Sequence, residues 1–353
     1  MINKSEAICI VGFGARTPVG LSAPASAAAV RAGISRLGEH PYMIDRAGEP
    51  MIVARASYLF DDVTGVQRFV ELALPAIDEA STPLNRFAGQ LPPIPLILGL
   101  PSQRPGLPMN LTTEVASHFT NMANEACKIS SVETISCGHS AGLMAIEEGC
   151  QKIRNGSIEL CLAGGVDSYL EPDTLEWLDE AEQLHSERNK WGFAPGEGSG
   201  FCLLASPRAV EKYRLAVLGK ALAAATAKEP SLIKTDSVCI GEGLTKAFQQ
   251  TLQVLAASKQ KVDQTICDMN GERYRADEYG FTTVRTSEYF GEAGNFLAPA
   301  DCWGDVGAAS GPLFINLAVC AAQRGYAKGP FTLVWTSSEG GERSAALLGA
   351  AKQ

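Results

Sequence analysis

Histidine is scarce in this chain. Only His40, His118, His139 and His185 occur among 353 residues, and none lies beyond position 185. Any chemistry that needs an imidazole from the second half of the chain is thereby excluded. Ten cysteines stand at 9, 127, 137, 150, 161, 202, 239, 267, 302 and 320, but none forms a CxxC pair. That spacing points to neither a zinc site nor a dithiol redox motif, so no metal is expected. Several cysteines sit in apolar runs such as LCLAGG and LAVCAA, as small buried hydrophobes do, and the reading is a reduced, cytoplasmic protein. There is no surplus of positive charge. The net charge of −9 leaves no basic stripe for nucleic acid or an anionic membrane. No apolar run approaches the roughly 18 residues of a membrane span; the longest, over 313–322, contains Asn316. The N-terminus lacks a basic stretch followed by an apolar one, so no signal peptide is expected.

What is present describes a large α/β protein, 46% hydrophobic and 20% charged. Residues 7–11 predict a buried strand that ends in a glycine turn at Gly12 and Gly14. VGFGARTPVG has the look of a dinucleotide fingerprint, yet the third glycine is missing and Pro18 interrupts it; no cofactor is expected. Residues 66–80 and 111–127 predict helices, and the proline-bounded run at 92–100 predicts a buried strand.

The clearest unit spans 131–168. Residues 132–136 predict a strand end. From Ser140 onward, Gly142, Ala145, Ile146, Gly149, Cys150 and Ile153 recur at helical spacing, with Glu147, Glu148, Gln151, Lys152 and Arg154 on the other face. Asn155 and Gly156 stop that helix, and 158–163 predicts another strand. Strand, helix, strand implies a parallel sheet covered on both faces. The second half repeats the theme, with a helix over 244–255, a strand over 262–269 and a small-residue helix over 306–322 that Pro312 is expected to kink. Arg273, Arg275, Asp277 and Glu278 are expected in a solvated turn, and Glu339 and Arg343 in an exposed loop pair.

CIVGFGARTPVG at 9–20, GHSAGLMAIEEGCQKIRNGSIELCLAGGVDS at 138–168 and GFAPGEGSGFCLL at 192–204 resemble, in order, the opening strand, nucleophile turn and glycine-rich closing segment of a β-ketoacyl synthase. VDQTICDMNGE, WGDVGAASG and TLVWTSSEGGERSA stand where that family's two histidine motifs and its gatekeeper loop usually stand. The resemblance implies a thiolase-like five-layer αβαβα sandwich of two similar halves, residues 1–210 and 211–353. It implies a homodimer, or a heterodimer with a ketosynthase, and an acyl carrier protein or acyl-CoA as partner.

The family's chemical positions are all substituted. By the resemblance, the nucleophilic cysteine falls on His139, the first histidine on Asn270, the second on Asp305, an accompanying lysine on Ala300, and the gatekeeper phenylalanine on Glu339. Ser140, Gly340 and Gly341 would line the same pocket. Condensation needs a thiolate and donors for a developing enolate. An ionised Asp305 would repel that enolate. Cys137 is an alternative nucleophile, but a two-residue offset moves a side chain by about 6–7 Å along a strand. Cys137 with His139, Ser140 with His139, and His139 with Asp305 all remain open as pairs for nucleophilic or base-assisted chemistry. The leading expectation is a ketosynthase-like subunit in fatty-acid or polyketide assembly that binds or scaffolds without condensing. The others are an atypical synthase, acyltransferase or thioesterase, and an accessory protein in an unrelated bacterial system such as secretion.

Overall fold

The computed structural model describes residues 7–87, 93–120 and 128–351. In the first half, strands β1 (Ile8–Arg16), β4 (Ile94–Leu100), β5 (Ile129–Ser136), β6 (Leu160–Ser168) and β7 (Glu197–Ala205) alternate with helices α1 (Ala23–Arg31), α2 (Gly65–Ser81), α3 (Leu111–Thr120), α4 (Ala141–Arg154), α5 (Pro172–Glu180) and α6 (Pro207–Tyr213). A separate hairpin, β2 (Leu37–Ile44) and β3 (Pro50–Ala54), leaves the body of the sheet. The second half holds β8 (Gly219–Lys228), β9 (Gln264–Cys267), β10 (Phe296–Leu297), β11 (Phe331–Ser337) and β12 (Glu342–Ala350), with α7 (Glu242–Ala256), α8 (Arg273–Arg285), α9 (Ala300–Trp303) and α10 (Ser310–Gln323).

Outward from the centre, one run of strands is β1-β7-β6-β4-β5 and the other is β8-β12-β11-β9-β10. The two runs have the same order. They also share the same pairing pattern: two antiparallel neighbours followed by two parallel ones. They join edge to edge where Ile8–Ile10 pairs antiparallel with Gly219–Ala221. α4 and α10 lie between the runs, α2 and α3 cover the outer face of the first, and α7 and α8 cover that of the second. This is the five-layer αβαβα sandwich. Strand alternation builds it: Cys161 and Ala163 of β6 face the middle core, while Leu160 and Leu162 face α2 and α3. Among the described residues, no helix is long and apolar enough to cross a membrane.

Several expectations need correction. β1 continues to Arg16, so Gly12 and Gly14 lie inside a strand and not in a turn. A Cβ at either would stand 2.1 Å from a carbonyl oxygen of α2, Ala80 or Ala76, so glycine serves close backbone approach there. The helix expected over 111–127 is described only to Thr120, and its remainder lies outside the described residues. Pro312 does not kink α10. It is the third residue of that helix, where no intrahelical partner for its nitrogen exists.

The starts of α4 and α10 meet at almost bare backbone. A Cβ on Gly142 would lie 2.3 Å from the Ala308 carbonyl oxygen and 2.5 Å from Pro312 Cδ. In an isolated helix alanine is better than glycine by about 1 kcal/mol. Overpacking a filled interior costs about 1–3 kcal/mol and here meets rigid backbone. Gly142→Ala is therefore expected to lower unfolding free energy by about 2 kcal/mol or more in urea titration. Gly280→Ala, on the exposed side of α8 with nothing within 4 Å, is the reference and should raise it.

Candidate functional site

Four turns converge where the two halves face each other, at the carboxyl ends of parallel strands, as ligand sites in such sheets do. β5 ends at Ser136, and the chain reverses through Cys137 and Gly138, whose φ of +80° suits glycine. A short 3-10 turn, Gly138–Ser140, then feeds α4. From the second half come the β9–α8 loop with Asn270, the segment before α10 with Asp305, and the β11–β12 turn with Glu339, Gly340 and Gly341.

The structure brings His139, Asn270 and Asp305 together. His139 Nε2 lies 2.9 Å from both carboxylate oxygens of Asp305. Asn270 Nδ2 donates to Asp305 Oδ2 at 2.6 Å, and the Gly307 amide donates to Oδ1 at 2.9 Å. Two carboxylate oxygens at that distance require a proton on Nε2, because a bare lone pair there would be repelled. Burial alone would raise the Asp305 pKa. The charge and hydrogen bond of His139, the charge of Arg275 and the Gly307 amide outweigh it and hold the carboxyl well below its usual range. Burial alone would lower the His139 pKa, and Arg275 also lowers it, but Asp305 prevails and the imidazole is raised above its ordinary value.

Arg275 is the residue that sequence reasoning missed. It lies in α8, not in a solvated turn, and is fully buried. Its Nη1 donates to Asp268 Oδ2 at 2.7 Å and to the Ser337 carbonyl at 3.0 Å, its Nε reaches Glu272 Oε2 at 3.3 Å, and its Nη2 stands 3.2 Å from His139 Nε2. A signal did exist. Arg275, Glu278, Tyr279 and Thr282 are spaced as one helix face, but two of them are charged and hydropathy conceals the pattern. Glu278 and Arg343, also expected at the surface, form a fully buried pair at 2.5 Å. Glu339 is tied to Lys234, which also reaches Glu272 at 3.3 Å.

The nucleophile candidates fare differently. The Ser140 hydroxyl is buried and lies 3.1 Å and 3.0 Å from the carbonyls of Thr336 and Glu342, so it is not set against His139. Cys137 Sγ contacts Met144 Sδ at 3.3 Å, and burial, then the charge of Glu342, push its thiol up to about 12. Almost none of it is thiolate at neutral pH. Of the three pairs left open by the sequence, the structure forms the His139–Asp305 one. A cavity of about 200 Å³ opens in front of His139 between Arg104, Cys137, Tyr169, Trp177 and Glu339. Ser140, Gly340 and Gly341 do not line it. Elsewhere, Glu229, Cys239 and Glu278 bring ligand-type atoms within 4.8 Å of one another. The Arg343 guanidinium already supplies the cation beside Glu278, so the donor set does not fit a metal ion.

Residues 112–209 match the family model described as β-ketoacyl synthase, N-terminal domain. The structure superposes on the ketosynthase from module 6 of the bacillaene synthase from Bacillus subtilis 168 with a TM-score of 0.77 at 14% identity, covering 98% of this chain and 72% of that one. It superposes on the ishigamide ketosynthase/chain length factor with a TM-score of 0.75 at 15% identity, covering 98% and 99%. A type II PKS acyl-carrier protein in complex with its ketosynthase bound to the hexaketide gives 0.76 at 15% identity, with 98% and 99% covered. The chain has the thiolase fold of the β-ketoacyl synthases. In this ketosynthase-like chain the family match includes His139 but stops short of Asn270, Asp305 and Glu339, whose meeting with His139 is seen only in three dimensions.

Removing Arg275 leaves Asp268 and Glu272 buried without their main cation. Breaking one side of a buried ion pair costs about 3–5 kcal/mol. Arg275→Met is expected to fall in that range by denaturant unfolding, and adding Asp268→Asn should recover part of the loss; strict additivity of the two would count against the coupling. The His139–Asp305 pair also sets a pH profile. His139 has a raised folded pKa, so its contribution is complete below about pH 6.5, its unfolded value, and fades as pH rises through the folded value. Asp305 has a depressed one, so its contribution is complete above about pH 3.8 and fades in acid. Between pH 6.5 and 9 the wild type should lose stability that His139→Gln lacks throughout. Parallel curves for the two proteins would show that the pair is not the source.

Proposed function

We propose that this protein does not carry out Claisen condensation and acts as a binding or scaffold subunit, the partner of a ketosynthase in acyl-chain assembly of the polyketide kind. The observation that carries this reading is the ionised Asp305, held by His139, Asn270 and the Gly307 amide. By the family resemblance, a thiolate and two hydrogen-bond donors would occupy these three positions. Here an imidazole replaces the thiolate, a carboxylate replaces one donor, and the Asn270 amide is turned onto Asp305 and Glu272. A malonyl carboxylate or an enolate oxygen entering this site would meet a negative charge where the reaction develops one.

The similar structures support a partnership: one is a ketosynthase/chain length factor, and another is a ketosynthase in complex with an acyl-carrier protein. The same reading divides the chain near residue 210, between the two runs of strands. A second reading rests on the His139–Asp305 couple, which has the components of a general base for thioester hydrolysis.

The test has two arms. Intact-protein mass is measured after incubation with acyl-CoA and acyl-carrier-protein thioesters, alongside free-thiol release and decarboxylation of the malonyl forms. Neither adduct nor turnover is expected in the wild type. An adduct lost in Cys137→Ala would overturn the reading, and hydrolysis lost in His139→Ala would establish the second one. In the other arm the chain is co-expressed with ketosynthases from the same genome. A stable one-to-one complex is expected, and elution of the chain apart from every ketosynthase would sink the partnership.

A further inference from the structure

The cavity in front of His139 presents hydrogen-bond donors that the ion network leaves unengaged. His139 is 4% exposed; its Nε2 faces Asp305 and Arg275, and no hydrogen bond engages Nδ1 among the described residues. Arg104 is 9% exposed. Its Nη2 donates to Asp167 Oδ1 at 2.6 Å and to the Ser168 carbonyl at 2.7 Å, and Nη1 has no partner among the described residues. Neither Nδ1 nor Nη1 is among the fully enclosed unpartnered atoms, and both side chains line the cavity. The Arg104 guanidinium lies 4.0 Å from the centre of the Tyr169 ring, which holds it in place. Gly138, at the start of the turn feeding α4, also lines this space. Tyr169, Trp177 and Phe193 line the same cavity, with the Tyr169 and Phe193 rings edge to face, centroids 5.6 Å apart.

We propose that this cavity binds a small carboxylic acid with an apolar body, its carboxylate accepting from Arg104 Nη1 and His139 Nδ1 and its body lying against Tyr169, Trp177 and Phe193. Two charge-assisted donors beside aromatic side chains fit that class. The acidic groups nearby are already partnered. Asp167 is bonded to Arg104 and to the Ala308 amide, Asp305 to His139, Asn270 and the Gly307 amide, and Glu339 at the rim to Lys234. The raised His139 pKa keeps Nδ1 a donor further toward neutral pH. The site stands apart from the partnership with a ketosynthase, because every group in it belongs to this chain.

The experiment uses the isolated full chain. Saturation-transfer NMR and calorimetry are run with benzoate, phenylacetate and isovalerate, each beside its primary amide. At least one acid should bind with a Kd below about 1 mM, and its amide should bind about tenfold or more weaker. Trp177→Ala, which leaves the Arg104–Asp167 pair untouched, should weaken the acid about tenfold, and Trp177→Phe should largely restore it. Arg104→Gln, checked for folding by thermal melt, should erase the preference for acid over amide. Equal binding of acid and amide, absence of binding by all three acids, or indifference to Trp177→Ala would each overturn the proposal.

Discussion

The crossing of α4 and α10 is the constraint on which the rest of the molecule depends. Each helix begins at a turn that closes one side of the site, and the two starts touch through Gly142, Ala308 and Pro312, with Gly165 of β6 packed against them. At Gly142 and Gly165 the carbonyl of Ala308 occupies the space a side chain would need. No Cβ intervenes, so the turn at 138–140 and the segment at 305–309 are drawn to hydrogen-bond range. His139 and Asp305 are 166 residues apart in the chain and 2.9 Å apart in space for that reason.

A second consequence is a polar centre buried between two apolar layers. Arg275, Asp268, Glu272, His139 and Asp305 are each nearly or wholly excluded from solvent. Such charges persist only when nearly every donor and acceptor has a partner. Here the backbone contributes beside the side chains: the Ser337 carbonyl accepts from Arg275, and the amides of Ser337 and Gly307 donate to Asp268 and Asp305. Asp268 Oδ1 is the network's unpartnered atom. An arrangement this enclosed is a poor place for a substrate carboxylate. The open ground is the cavity on the other side of the His139 ring, where Arg104 and the aromatic wall stand.

The fold is that of the ketosynthase structures on which the chain superposes, and the chain carries no imidazole beyond residue 185. The site is a coherent set of opposite charges: the imidazole at 139 answers the carboxylate at 305, and Arg275 answers Asp268 and Glu272. The site ties the turn before α4 to the segment before α10 through His139 and Asp305.

The sequence by itself determined the layered α/β architecture, the helix of 141–154, the flanking strands and the absence of any imidazole beyond residue 185. These rest on local periodicity and composition, which one stretch of chain carries alone. Tertiary structure decided that α8 is a helix with a buried inner face, that Arg275 fills the centre of the site and that Glu278 and Arg343 are core residues. Their helical face is made of charges, and charge signals exposure until its partners are known. Those partners, Asp268, Ser337 and Arg343, come from other elements, so no local pattern could announce them. The fate of Cys137 was likewise open in the sequence: its spacing allowed a nucleophile, but burial and the nearby charge of Glu342 keep its sulfur a neutral thiol.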